Sequence, residues 1–178
     1  VEESIDRAAV FSTGRGNRWF GQWLLDDCLT YPLAANEGTP VTSDQPLGLH
    51  TADYESLLGM RPLRRHGVHF KELVMFDDVG QNNSKSARHL QARQNLLTNQ
   101  EYSSHPGVFI LRGQHGEQRR LVNEQALAEQ LKNSRGFRII DPMQETVDTI
   151  ISVCAGAQHV VGIEGSQLVH GVQLMDAG

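Results

Sequence analysis

Residues 157–168 read AQHVVGIEGSQL, and this stretch decides the fold class of the chain. The apolar run 159–162 predicts a short strand that ends at Gly162. A glycine-rich turn follows, and Ser166 then opens a predicted helix, 166–174. A strand that passes through such a turn into a helix is typical of an α/β protein.

The same alternation of strand and helix extends back along the chain from this stretch. Predicted strands 108–111 and 137–140 alternate with predicted helices 123–133 and 146–155. Helices of about ten residues between short strands predict βαβ units and a parallel sheet. His105-Pro106-Gly107 precedes this pattern and is the predicted boundary between two lobes, 1–104 and 105–178.

The first lobe shows a looser version of the pattern. Residues 8–11 predict a strand that runs into the turn Gly14-Arg15-Gly16, and a predicted helix, 18–31, follows until Pro32 ends it. Residues 39–44 predict an edge strand, because Pro40 lacks a backbone N–H. The remaining predictions are an inner strand, 68–76, and a helix with one basic side, 84–99.

Two loops of the second lobe are suited to an anionic ligand. Open parallel sheets bind ligands beyond the carboxyl ends of their strands. Gly162 and Gly165 allow close approach of backbone to a ligand, and the free N–H groups of a helix starting at Ser166 favour an anion. A plain strand-to-helix turn is the commoner use of such residues.

The other loop carries arginines. Arg112 directly follows predicted strand 108–111, so we expect its guanidinium over the same edge of the sheet, where it suits a diphosphate. The second arginine that would bind the diphosphate is Arg119 or Arg120.

Composition argues against several classes of function. The net charge is −5 and no long basic run occurs, so we expect no nucleic-acid partner. We expect no metal, since the histidines and the two cysteines lack zinc-ligand spacing. Cys28 and Cys154 lie in apolar segments, which favours buried thiols and leaves a disulfide open. No apolar run approaches the roughly 20 residues that span a bilayer. The chain begins at Val1 rather than Met, from which we expect a fragment.

Three blocks of the second lobe together resemble a known family. The first block joins FILR at 109–112 with RLVNE at 120–124. The second is residues 136–142, which begin with a glycine, and the third is AQHVVGIEGSQL at 157–168. In order and spacing these blocks are similar to those of glycosyltransferase family 61, the capsular polysaccharide type. The first lobe matches more loosely, through its aromatic-rich helix and the basic helix 84–99.

The resemblance implies a GT-B-like α/β fold, incomplete in this chain, with two Rossmann-like lobes of parallel sheet and an active site between them. It implies an inverting glycosyltransferase that moves a sugar from a nucleotide-sugar donor to a glycan acceptor in cell-surface polysaccharide synthesis, without a cofactor. We expect a cytoplasmic protein, and association with the inner membrane or a capsule assembly stays open. The substrate-binding candidates are Arg112, Arg119, Arg120, Asn123, Gly162, Gly165 and Ser166.

Inversion needs a general base that takes the proton of the acceptor hydroxyl. The resemblance implies an acid in the first-lobe helix, where Asp26 is the first candidate and Asp27 the second; Glu164 is a third. The chain departs from the family pattern at four positions: Glu164 and Gln22 replace histidines, Ser166 replaces an alanine and Leu111 replaces a serine. These departures leave a second hypothesis open, a non-catalytic transferase-like module that binds nucleotide or glycan.

Overall fold

The computed structural model describes residues 3–44, 48–113 and 119–176. The chain divides into two compact units, Val1–Ala92 and Arg93–Gly178. The division falls inside a helix, and the lobe boundary predicted at His105 stays a prediction.

The first unit is a parallel sheet with helices. In chain order its elements are β1 (Ser4–Val10), α1 (Phe20–Gln22), a π-helical turn (Trp23–Asp27), α2 (Cys28–Glu37), β2 (Thr39–Ser43), α3 (Thr51–Leu57), β3 (Leu63–Arg65) and β4 (His69–Met75). Helix α4 (Asn83–Leu97) crosses into the second unit. The strand order is β3-β2-β1-β4, and every pair is parallel.

The second unit repeats this design on a smaller scale. Its elements are β5 (Val108–Ile110), α5 (Glu124–Arg135), β6 (Arg138–Ile140), α6 (Val147–Cys154), β7 (Val160–Gly162) and α7 (Leu168–Leu174). The strands are parallel in the order β6-β5-β7. The predicted parallel sheets are therefore confirmed, and each unit is Rossmann-like α/β structure.

The core of the second unit lies on its central strand. All three residues of β5 are buried, which is typical of a parallel strand covered on both faces. Helix α6 supplies Ile150, Ile151 and Cys154 to this core. Thr146 caps α6 by accepting a hydrogen bond from the N–H of Thr149 at 3.2 Å.

Two predictions about proline are wrong. Pro32 does not end the first helix, which continues from Phe20 through the π-helical turn to Glu37. Pro32 removes one backbone hydrogen bond from the helix, and the favourable free energy of burying Cys28, Leu29 and Ala34 offsets that loss. Strand β2 is not an edge strand, since it lies between β1 and β3. Pro40 pairs with Ala9 of β1, whereas the pairing of β2 with β3 begins one residue later, at Val41.

Strand β4 is an edge strand of the described sheet, not the predicted inner strand. Its apolar residues mimic an inner strand in sequence, yet Leu73 and Met75 are exposed. Strand β3 was not predicted at all, because three residues are too few to show an alternating pattern.

Candidate functional site

The loops after β5 and β7 meet at one edge of the second sheet. Strand β5 lies in the middle, with β6 on one side and β7 on the other, so the chain reverses direction across the sheet at β5. Such a switch point opens a crevice beyond the carboxyl ends of the strands. The last pair in register is Ile110 and Gly162, so the residues that follow them leave the sheet side by side.

Arg112 lies across this crevice. Its Nη1 donates hydrogen bonds to the carbonyl oxygen of Glu164 at 2.7 Å and to Oε1 of Gln167 at 3.4 Å. A Cβ on Gly165 would overlap Nη1 of Arg112, so only glycine leaves room for the guanidinium in this position. The structure thus brings together Arg112 and Gly165, two of the predicted binding residues.

Gly162 has a packing role of its own. A Cβ there would lie 2.5 Å from the carbonyl oxygen of Ile110 and 2.7 Å from Cδ2 of Leu168. The close approach of β5, β7 and α7 therefore explains this glycine without any ligand.

Glu124 holds the start of the loop after β5. Its Oε1 accepts a hydrogen bond from the N–H of Arg112 at 2.8 Å, and its Oε2 accepts one from the N–H of Gly113 at 3.2 Å. Sequence reasoning assigned no role to Glu124, although its place at the start of the helix after the arginine was a usable signal. Asn123 precedes α5 as its N-cap residue but makes no side-chain capping hydrogen bond.

The structure distinguishes the two other candidate arginines. Nη1 of Arg119 lies 2.6 Å from Oε2 of Glu164, in a pair whose side chains are 44% and 79% exposed. An ion pair this exposed contributes little to stability, so it leaves the energetics of the fold unchanged. Arg120 is exposed and forms no ion pair with a described residue.

Ser166 does not open a helix, which corrects the prediction. Helix α7 begins at Leu168, and Ser166 lies in the preceding turn. The carbonyl oxygens of Gly165 and Ser166 accept hydrogen bonds from the N–H groups of Leu168 and Val169 at 3.1 and 3.3 Å. The side chain of Gln167 also binds the carbonyl of Ile163 at 2.5 Å, which tightens the turn before the helix.

The first unit has its own switch point, between β1 and β4. Asp26 lies near it, and its Oδ1 is 2.6 Å from Nζ of Lys85, which is almost completely buried. The Asp26 side chain is 40% exposed. Nζ of Lys85 also donates to the carbonyl oxygen of Asp78 at 3.2 Å. Asp26 is therefore ionically fixed and open to solvent at the same time.

Asp27 is in a very different environment. It is 1% exposed, its Oδ2 accepts a hydrogen bond from the N–H of Thr13 at 3.1 Å, and its Oδ1 has no partner among the described residues. A Cβ on Gly16 would overlap this carboxylate. Burial raises the pKa of Asp27 to about 6, against the lowering effect of the Thr13 hydrogen bonds.

A second, partly buried ion pair supports this region and was not predicted. Nη2 of Arg88 lies 2.7 and 2.6 Å from the two carboxylate oxygens of Asp78. Thr30 donates a hydrogen bond to Oδ2 of Asp78 at 2.8 Å, and Nε of Arg88 donates to the carbonyl of Leu29 at 2.7 Å. Together with Lys85 these contacts attach the first half of α4 to α2.

Cys28 and Cys154 are both free and buried, and burial raises the pKa of both thiols. In the described parts of the chain, no group of three or more His, Cys, Asp or Glu residues could hold a metal ion. No helix in those parts has both the length and the apolar character needed to cross a membrane.

Parallel sheets, helices between the strands and a crevice at each switch point define a Rossmann-like α/β protein. The family model of Glycosyltransferase 61 matches residues 20–177. The chain therefore belongs to glycosyltransferase family 61, as its three sequence blocks indicated. Membership implies a transferase with a sugar donor and an acceptor. No curated protein matches the chain.

Proposed function

We propose that this protein is an inverting glycosyltransferase with a GT-B fold. In this proposal it moves a sugar from a nucleotide-sugar donor to a glycan acceptor during synthesis of a capsule-type surface polysaccharide, on the cytoplasmic side of the membrane and without a metal. The observation that carries the proposal is the position of the Arg112 guanidinium, which lies against Gly165 at the switch point of the second unit.

The second unit binds the donor in this proposal. Arg112 and Arg119 both reach the β7 loop, through the carbonyl and the carboxylate of Glu164 respectively. Two guanidinium groups at this edge neutralise the negative charge that grows on the departing nucleoside diphosphate. Glu164 cannot donate a hydrogen bond when ionised, so its carboxylate suits a ribose hydroxyl rather than a phosphate.

The first unit supplies the general base. The acceptor oxygen attacks the anomeric carbon, the bond from that carbon to the diphosphate breaks, and the hydroxyl proton passes to the base. Asp26 suits this role better than Asp27, because its carboxylate is 40% exposed and Lys85 fixes one of its oxygens. Asp27, buried beneath the turn at Gly16, holds that turn in place instead.

Calorimetric titration with uridine and guanosine diphosphates tests the donor site. We expect binding to the wild type and a loss of about tenfold or more in affinity for Arg112→Ala. Arg135→Ala, which removes an exposed arginine from the last turn of α5, is the matched control and should bind as the wild type does. If neither nucleotide binds the wild type, the donor site is absent and the proposal fails.

The non-catalytic module remains the second candidate, because Glu164 stands where the family has a histidine. Sugar release from the bound donor, with a panel of acceptor glycans, separates the two. Transfer that is lost in Asp26→Asn while nucleotide binding is kept supports the enzyme. Binding without transfer to any acceptor supports the module.

A further inference from the structure

Loop residues 13–19, which we call the β1 loop, place three large side chains on the surface of the first unit: Arg15, Arg18 and Trp19. They follow the carboxyl end of β1, the strand beside the switch point. No step of the proposed reaction uses them.

Trp19 is exposed, whereas the other tryptophan of the chain, Trp23, is buried. Of the two tryptophans, Trp23 is 7% exposed and packs with Phe20 and Tyr54, whereas Trp19 is 36% exposed. The guanidinium of Arg18 stacks over the Trp19 ring, 4.9 Å from its centroid. An indole with an arginine over one face and with 36% of its surface exposed is a suitable surface for the apolar face of a sugar ring.

The arginines of this loop differ from most others in the unit. Arg7, Arg64, Arg65 and Arg88 each pair with a carboxylate. Arg15 and Arg18 pair with no carboxylate of the described residues. Arg15 lies one turn before Trp19, since the N–H of Trp19 donates to the carbonyl of Arg15. Two guanidinium groups in one loop that pair with no described carboxylate leave an anion as the complementary group.

The β1 loop is already ordered by its own hydrogen bonds. The N–H of Gly16 donates to Oγ1 of Thr13 at 2.9 Å, and the N–H of Trp19 donates to the carbonyl of Arg15 at 2.7 Å. The Asp27 carboxylate fills the space next to Gly16. Binding to such a loop costs little ordering entropy, and a ligand on it lies close to Asp27, the residue that follows Asp26 in the chain.

We propose that Arg15, Arg18 and Trp19 form an acceptor subsite for an acidic glycan, in which a sugar ring stacks on Trp19 and a uronate carboxylate binds Arg15. This subsite rests on the proposed function, since it names the class of acceptor for that transfer. Because an uncharged glycan leaves the arginines without a partner, the subsite selects for the acid.

The test compares tetragalacturonate with its fully methyl-esterified form, which keeps the sugar rings and removes the charge. We expect the full chain to bind the acid at least about tenfold more tightly than the ester, by calorimetry. Arg15→Ala should abolish this preference. Arg61→Ala removes an exposed arginine of the same unit that pairs with no described carboxylate, and it should keep the preference.

Tryptophan fluorescence gives an independent readout of stacking. Tetragalacturonate should change the emission of the wild type, and Trp19→Phe should remove that change, because buried Trp23 is then the only tryptophan. Equal affinity for acid and ester, or equal effects of Arg15→Ala and Arg61→Ala, would overturn the subsite. Nucleoside diphosphate affinity, measured in the same variants, separates the outcomes: its absence in the wild type refutes the proposed function, and its presence without uronate preference refutes the subsite alone.

Discussion

At the residue scale, the lack of a side chain at Gly165 determines where the Arg112 guanidinium can lie. The space that a Cβ would take holds Nη1 of Arg112. We expect Gly165→Ala to displace this guanidinium and to lower nucleoside diphosphate affinity by about tenfold, as measured by calorimetry. Gly14→Ala is the control, because a Cβ there meets nothing within 4 Å. Wild-type affinity in Gly165→Ala would show that the position of Arg112 does not matter for binding.

Asp27 predicts an unusual dependence of stability on pH. Its pKa is raised from 3.8 to about 6 in the folded chain. Between these values the unfolded chain has lost the proton and the folded chain keeps it, so stability contributed by this group falls as the pH rises through that window. Asp27→Asn should therefore be more stable than the wild type above pH 6, by up to about 3 kcal/mol, and equal to it below pH 4. Urea unfolding at pH 4 and pH 7.5 measures the difference, and a variant less stable at pH 7.5 would contradict it.

Residues were predictable where their role depended on neighbours in sequence. Arg112 and Gly165 lie in the loops that follow the neighbouring strands β5 and β7, and strand ends in a parallel sheet share one edge. Lys85 was not predictable, because its partner Asp26 lies 59 positions away. The place of Glu124 at a helix start was visible in the sequence, but its partner, the N–H of Arg112 12 positions earlier, followed only from the position of the loop.

At the scale of elements, α4 depends on a buried lysine. Lys85 is almost fully buried, and it binds both Asp26 and the carbonyl of Asp78. We expect Lys85→Met to lower the free energy of unfolding by about 2 kcal/mol, since the Asp26 carboxylate and the carbonyl of Asp78 both lose a charged donor, although solvent reaches Asp26. Lys132→Met removes a half-exposed lysine 3.8 Å from Glu129 and should change stability by less than about 1 kcal/mol. Equal losses of stability for Lys85→Met and Lys132→Met in urea unfolding would show that the contacts of Lys85 are not stabilising.

Long helices and strands with clear periodicity were predicted to within a few residues, as α4 and α6 show. The π-helical turn was not, because its five residues have an ordinary helical composition. The end of α2 was placed too early, since a local rule for proline does not include the burial of the residues around it.

At the scale of the whole molecule, the proposed function predicts independence from metal ions. In this proposal the arginines of the second unit take the role that a divalent cation has in metal-dependent transferases. Nucleoside diphosphate binding and sugar transfer should therefore persist in EDTA. Loss of transfer in EDTA, with recovery on addition of Mg²⁺ or Mn²⁺, would refute the metal-free mechanism.

The class of the protein follows from its sequence: alternating strands and helices predict parallel sheets, and the three blocks of the second lobe identify the family. These patterns can be read from the sequence because hydrophobic period and turn chemistry depend on near neighbours. The exposure of Asp26, the burial of Asp27 and the position of Arg112 against Gly165 become visible in the folded chain alone. Burial and steric exclusion depend on residues that are distant in the chain, so no local pattern contains them.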